Sequence, residues 1–89
     1  MESLRKLFGM AAGGRIALYV LINPWSTSEE ISKRVIMLSG DRIRHILLEM
    51  YAEGLVERRR RTTELGRKPY EYRLIQPIRN LIRSKLRSE

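Results

Sequence analysis

The sequence predicts a small α+β domain, mainly helical with one β-hairpin, and three observations carry the prediction. Before residue 54, apolar residues recur at spacings of three and four in successive stretches, the periodicity of helices with a buried face. Past Gly54 the period drops to two: Tyr70, Tyr72 and Leu74 alternate with Glu71, Arg73 and Ile75, as on a half-buried strand. From Pro77 the helical spacing returns. With 89 residues, no internal repeat and no linker, the chain reads as one domain: a helical arm over residues 1–12, a core over 13–75 and a terminal helix over 77–88. A chain of this size buries only about 60–65% of the surface it exposes when unfolded, so a partner subunit is expected.

Leu4, Leu7 and Phe8 share one face at helical spacing, and Gly9 stops that short turn. From about Ala11 onward, Ile16, Tyr19 and Val20 keep helical spacing while Ala17, Leu18 and Leu21 widen the apolar surface, as in a helix buried on most sides. Pro24 ends it, because the residue before a proline is driven out of the helical region. Trp25, Ser26 and Thr27 form a short extended link, and Thr27 with Glu30 three residues later is a capping-box pattern that opens a second helix. Ile31 and Val35 face inward from it, and Leu38-Ser39-Gly40 makes a turn. Ile43, Ile46, Leu47 and Met50, with Tyr51, mark a third helix, and Gly54 sits where a glycine stop belongs. Leu55 and Val56 begin a strand that runs into Arg58, Arg59, Arg60 and Arg61. Residues 62–69, with Gly66 and Pro69, form a loop, and the strand around Tyr70 and Tyr72 returns. Pro77 suits the first turn of the final helix, whose Ile78, Leu81, Ile82 and Leu86 form a narrow stripe among Arg79, Arg83, Lys85 and Arg87.

Composition excludes several function classes. There is no Cys and one His, so no disulfide framework, thiol nucleophile or Cys/His zinc site is available. The longest apolar run, Ile16 to Ile22, is seven residues, against the roughly 20 that span a bilayer. Glu2 and the break at Gly13, Gly14 and Arg15 do not suit a signal peptide, so a cytoplasmic, nucleoid-associated protein is expected. No acid pair is placed as a carboxylate dyad, and no glycine spacing matches a phosphate-binding loop followed by Lys and Ser or Thr. An enzyme is therefore not expected. Eighteen Lys and Arg against ten Asp and Glu give a net charge of +8; such an excess speaks to an anionic partner, nucleic acid or a membrane surface.

Helix, link, helix, tight turn, helix and basic hairpin is the order of a winged helix-turn-helix. The residues carry a resemblance as well. The run Ile46-Leu47-Leu48-Glu49-Met50-Tyr51-Ala52-Glu53-Gly54-Leu55-Val56-Glu57-Arg58, followed by Gly66-Arg67-Lys68-Pro69-Tyr70-Glu71-Tyr72-Arg73-Leu74, resembles the small prokaryotic regulators of the ArsR and MarR type and their archaeal relatives. The resemblance covers Thr27 to Ile75, over half the chain. It implies a winged-helix fold, double-stranded DNA as partner and a two-fold homodimer built by the terminal helices. The turn between the second and third helices is slightly longer than is common in those regulators, and the metal-binding and effector residues of their metal-sensing members are absent. No cofactor or metal is therefore expected, and no small-molecule effector is evident.

On the third helix, Asp41, Arg44, His45 and Leu48 lie opposite the apolar stripe, with Arg42 and Glu49 at one margin. The N-terminal part of such a helix enters the major groove, so Arg42, Arg44 and His45 are the candidates for reading bases; an arginine can bond guanine bidentately. Between residues 58 and 68 lie six basic residues and one acid, Glu64. Because side chains alternate along a strand, Arg59 and Arg61 share a face, and with Arg67 and Lys68 at the loop they are expected on the phosphate backbone or minor groove. Thr27, Ser28 and Ser39 stand at helix starts, where backbone N–H groups hold phosphate or where capping alone explains them. Leu4, Leu7, Phe8, Ile78, Leu81, Ile82 and Leu86 are the expected dimer interface. A basic helix on an anionic membrane is the rival reading of residues 77–87, but its stripe lacks Trp and Phe, so no membrane partner is expected. The function expected is sequence-specific regulation of transcription. A chromatin-like or plasmid-partition protein that coats DNA, or a winged helix that docks a protein, are the alternatives.

Overall fold

The computed structural model describes residues 11–87, the side chains of Ala11 and Leu86 excepted. Helix α1 (Ala11–Ile22), strand β1 (Ser26–Thr27), helix α2 (Ser28–Arg34), helix α3 (Gly40–Ala52), strands β2 (Val56–Arg60) and β3 (Tyr70–Leu74) and helix α4 (Gln76–Arg87) follow in that order. The expected periods are realised: Ile16, Ala17, Val20 and Leu21 of α1, Ile31 beside α2's end at Val35, and Ile43, Ile46, Leu47 and Met50 of α3 are all buried in one core with Leu55, Val56, Tyr72 and Leu74.

Helix boundaries follow local hydrogen-bond chemistry. The Thr27 hydroxyl accepts from the Glu30 N–H at 3.1 Å, and the Glu30 carboxylate accepts from the Thr27 N–H at 2.9 Å. This is a complete capping box at the start of α2. Ser39 caps α3 by accepting from the Arg42 N–H at 3.1 Å. At the other end of α3, Gly54 takes φ 74°. Its N–H donates to the Tyr51 carbonyl at 3.0 Å, and the next N–H, of Leu55, reaches back to the Met50 carbonyl at 2.9 Å. That is a Schellman stop, sealed by the buried side chains of Leu55 and Met50.

Two sequence expectations are corrected. The link at residues 25–27 is not outside the sheet: Ser26 and Thr27 form its edge strand, paired antiparallel with Tyr72 and Glu71 of β3. The sheet therefore has three strands in the order β1-β3-β2 rather than two. Two residues are too few to show a period, and pairing is decided by the open edge of β3. The second correction concerns α4. Ile78 and Ile82 are 1% and 4% exposed within a single chain, so they complete this chain's own core and are not available to a partner. Leu81, 40% exposed, remains on the surface. Leu4, Leu7 and Phe8 lie outside the described residues, as does the side chain of Leu86.

Candidate nucleic-acid interface

Helix α3 turns its polar side to water. Asp41, Arg42, Arg44, His45, Leu48 and Glu49 are exposed, and the buried side of the same helix holds it to the core. Asp41 sits in the first turn, where a carboxylate meets the positive end of the helix dipole, and it pairs with the Arg44 guanidinium one turn on. Both partners are largely in water, so the pair is worth under about 1 kcal/mol and gives way readily to another acceptor. Arg42 and His45 have no charged partner among the described residues.

The hairpin extends past the core. Register pairs Val56 with Leu74, Arg58 with Tyr72, Arg59 with Glu71 and Arg60 with Tyr70. Since paired residues share a face, the four arginines divide into two sets with different surroundings. Arg58 and Arg60 continue the face that holds buried Val56 and Leu74, the face packed toward α3. Arg59 lies on the opposite face, and Arg61 continues its phase.

On that opposite face, charge is balanced. Glu71 is 5% exposed and receives Arg59 Nε and, at 2.5 Å, Arg61 Nε. Arg61 crosses the sheet to the far edge, donating to the Trp25 carbonyl at 2.7 Å and to Glu30 at 3.0 Å. Arg73 pairs with Glu57. Three guanidiniums thus meet three carboxylates. Trp25 lies among them, with Arg59 and Arg73 at 3.9 and 4.6 Å from its ring centre. Burial alone would push the Glu71 carboxyl up, but hydrogen bonds from Arg59 and Arg61, together with their charge, outweigh it and hold it below its ordinary value. Glu30 is lowered mainly by its bond from Arg61, then by the Thr27 N–H, and Arg61 is correspondingly raised, chiefly by Glu30 and then by Glu71. Arg59 and Arg61, expected on a phosphate backbone, are thus engaged within the protein.

On the face toward α3 the arginines meet rings instead of acids. Arg58 lies 3.9 Å from the centre of the Tyr51 ring and 4.1 Å from that of Tyr70. Arg60 lies 3.8 Å from Tyr70 and donates to the Lys68 carbonyl at 2.7 Å and to the Tyr70 hydroxyl at 3.0 Å. Tyr51 follows Arg44 and Leu48 at helical spacing on the exposed side of α3. The stack therefore joins that side of α3 to the wing. Sequence reasoning missed Arg58, Arg60 and Tyr51; strand alternation divides the arginines into two sets but does not say which set faces the helix.

At the tip, Gly66 takes φ 78° after a turn in which its N–H donates to the Thr63 carbonyl at 3.0 Å. The Thr63 hydroxyl accepts from the Arg67 N–H at 3.1 Å. Leu65, Arg67 and Lys68 are exposed there. Thr27, Ser39 and the helix starts they cap are accounted for by capping: Thr27 is buried with its hydroxyl engaged, and Ser39 is bound to the Arg42 N–H. Ser28, the first residue of α2, is half-buried. Among the described residues no group of three His, Cys, Asp or Glu could hold a metal ion, and no helix is long and apolar enough to cross a membrane.

No protein-family model matches the chain, and no curated protein matches it in sequence. Solved structures do match. The transcriptional regulator YodB of Bacillus subtilis, in its diamide-treated form, superposes with a TM-score of 0.74 at 22% identity, over 99% of this chain and 86% of that one. Its reduced form gives 0.72 at 23% identity, over 99% and 85%. A PadR-like transcriptional regulator of Bacillus cereus gives 0.67 at 21% identity, over 94% and 84%. The chain has the winged-helix fold. In that frame α2 and α3 are the helix-turn-helix, and the β2–β3 hairpin is the wing.

Proposed function

We propose that the protein is a homodimeric, sequence-specific regulator of transcription that binds double-stranded DNA. Helix α3 enters the major groove with Arg42, Arg44 and His45 toward base edges, and the wing lies on the flanking backbone with Arg67 and Lys68 at its tip. The observation that carries the reading is the exposed polar side of α3 running into a wing whose α3-facing cations have no carboxylate partners among the described residues. A fold built to hide charge would have paired them, as it does on the other face of the sheet. Arg59 and Arg61 serve this function by holding the wing against β1 and α2 through Glu71 and Glu30. The solved structures of the same fold are described as transcriptional regulators, which fits the reading.

A second copy is supported by the apolar side chains that one chain leaves in water. Leu18 and Ile22 on α1 and Ile36 beyond α2 line an open groove of about 300 Å³, and Met37 and Leu81 are exposed as well. A two-fold dimer sets two recognition helices about 34–36 Å apart, one turn of DNA. Selection of binding sites from random duplexes tests the whole reading: a short two-fold motif is expected. Arg44→Ala should relax the preference at one base position, and Arg67→Ala should weaken all sequences while lowering the salt slope by about 0.9. A flat profile with stoichiometry that grows with DNA length would replace sequence-specific regulation with DNA coating. Affinity indifferent to salt between about 50 and 200 mM would remove duplex binding itself, since phosphate contacts release counterions.

A further inference from the structure

Two arginines of the wing that are not among the contact residues expected from the sequence are seated on aromatic rings. Arg58 sits 3.9 and 4.1 Å from the ring centres of Tyr51 and Tyr70, and Arg60 sits 3.8 Å from that of Tyr70. Neither has a carboxylate partner among the described residues. An aromatic face holds a guanidinium through its quadrupole and cancels none of its net charge, whereas a carboxylate neutralises it. The planar cation keeps its N–H edge for an acceptor. For Arg60, the Lys68 carbonyl and the Tyr70 hydroxyl take two N–H groups and fix the direction of the rest. The contrast with the other face of the sheet, where Glu30, Glu57 and Glu71 offset Arg59, Arg61 and Arg73, assigns the two faces to different tasks.

We propose that Arg58 and Arg60, seated on Tyr51 and Tyr70, form a clamp for backbone phosphates at the junction of recognition helix and wing. Tyr51 and Tyr70 are positioning residues: they hold the two cations in register with the exposed side of α3. Arg58 and Arg60 are the wing cations that engage the duplex along the strand, and Arg59 and Arg61 are not. The assignment rests on the duplex-binding reading, and its test separates the two.

The experiment measures duplex affinity of the full chain against salt for the wild type, Arg58→Gln, Arg60→Gln and Arg59→Gln, with a thermal melt of each. Arg58→Gln and Arg60→Gln are each expected to lower the slope of log K against log salt by about 0.9, so that the loss of affinity between 50 and 200 mM shrinks about 3.5-fold per variant. Arg59→Gln is expected to keep the wild-type slope even where it lowers the melting temperature. Tyr51→Leu is expected to weaken binding several-fold and Tyr51→Phe to restore it, because the ring and not the hydroxyl carries the cation. If Arg58→Gln fails to fold, Arg58→Lys takes its place: it keeps a charge without the planar edge, and weaker binding at unchanged slope is expected. A steep wild-type slope left unchanged by both Arg58→Gln and Arg60→Gln, or by Arg60→Gln with full affinity in Arg58→Lys, overturns the clamp and leaves duplex binding standing. A wild-type affinity without salt dependence overturns both.

Discussion

Glu71 is the residue on which the wing's attachment depends. It is a buried carboxylate on the central strand, held by Arg59 and Arg61, and Arg61 carries the link on to Glu30 and the Trp25 carbonyl. Glu71→Gln leaves Arg59 without its anion and Arg61 with Glu30 alone. Arg59 and Arg61 keep 56% and 36% of their side-chain surface in water, so the expected cost is about 1–2 kcal/mol rather than the 3–5 of a fully buried pair. In a domain of this size each kcal/mol lowers the melting temperature by about 4–8 °C. The pH dependence has a definite sign. Glu71 and Glu30 are both held below their unfolded values, so the unfolded chain takes up protons first as pH falls. Their stabilisation is present above about pH 4.3, the ordinary glutamate value, and is lost as pH drops through the lower folded values. Thermal melts of wild type and Glu71→Gln should therefore differ at neutral pH and converge in acid below that point; a constant gap down to acid would show that the carboxylate's charge is not what Arg59 and Arg61 require.

Trp25 presents the reverse case of a residue whose backbone is strained. It holds φ 63°, the left-handed region, which costs an L-residue about 1–2 kcal/mol. Its ring beside Arg59 and Arg73 and its carbonyl bond from Arg61 offset that cost. Two variants separate the contributions. Trp25→Ala loses the ring and keeps the strain, whereas Trp25→Gly loses the ring and relieves the strain. Denaturant midpoints should rank glycine above alanine by about 1 kcal/mol, the opposite of the order in an ordinary strand.

Among the elements, α2 has only seven residues and owes its start to the side chains of Thr27 and Glu30. A helix so short has little stability of its own, and its capping box ties it to β1. Thr27→Ala removes the bond to the Glu30 N–H and is expected to cost about 1 kcal/mol, read as a shift in urea midpoint at unchanged slope. The same Glu30 carboxylate also receives Arg61, so the loss should be partly shared with Arg61→Ala, and the double variant should lose less than the sum. Strict additivity would mean that capping and wing attachment are independent. Helix α3 differs from α2 in being fixed to the core by four buried apolar residues and ended by a glycine stop, so its outer side is not needed to hold it there.

For the molecule as a whole, the proposed two-fold assembly rests on apolar side chains left exposed on α1, the turn after α2 and α4. Leu81→Asp is expected to shift sedimentation from dimer toward monomer without lowering the monomer's secondary structure, because Leu81 is not part of the core. Ile82→Asp should instead unfold the chain, since Ile82 is buried within it. Identical sedimentation of wild type and Leu81→Asp, both as dimers, would place the partner surface elsewhere.

Periodicity and punctuation in the sequence by themselves determined the helices from residue 11 on, the hairpin, the capping box at Thr27, the stop at Gly54, the inward face of α3 and hence its outward one. These are local facts, decided within one or two turns of chain, and each has a residue type that only one conformation satisfies well. Tertiary structure alone decided three things. It recruited Ser26 and Thr27 into the sheet because β3 had an open edge. It drew Ile78 and Ile82 into the core because a domain this small uses every apolar stripe that reaches it. It also sorted the arginines of the wing into pairs that differ in charge balance, because Glu30 and Trp25 are distant in sequence, Tyr51 stands on another element, and all three meet those arginines only when helix, edge strand and hairpin pack together.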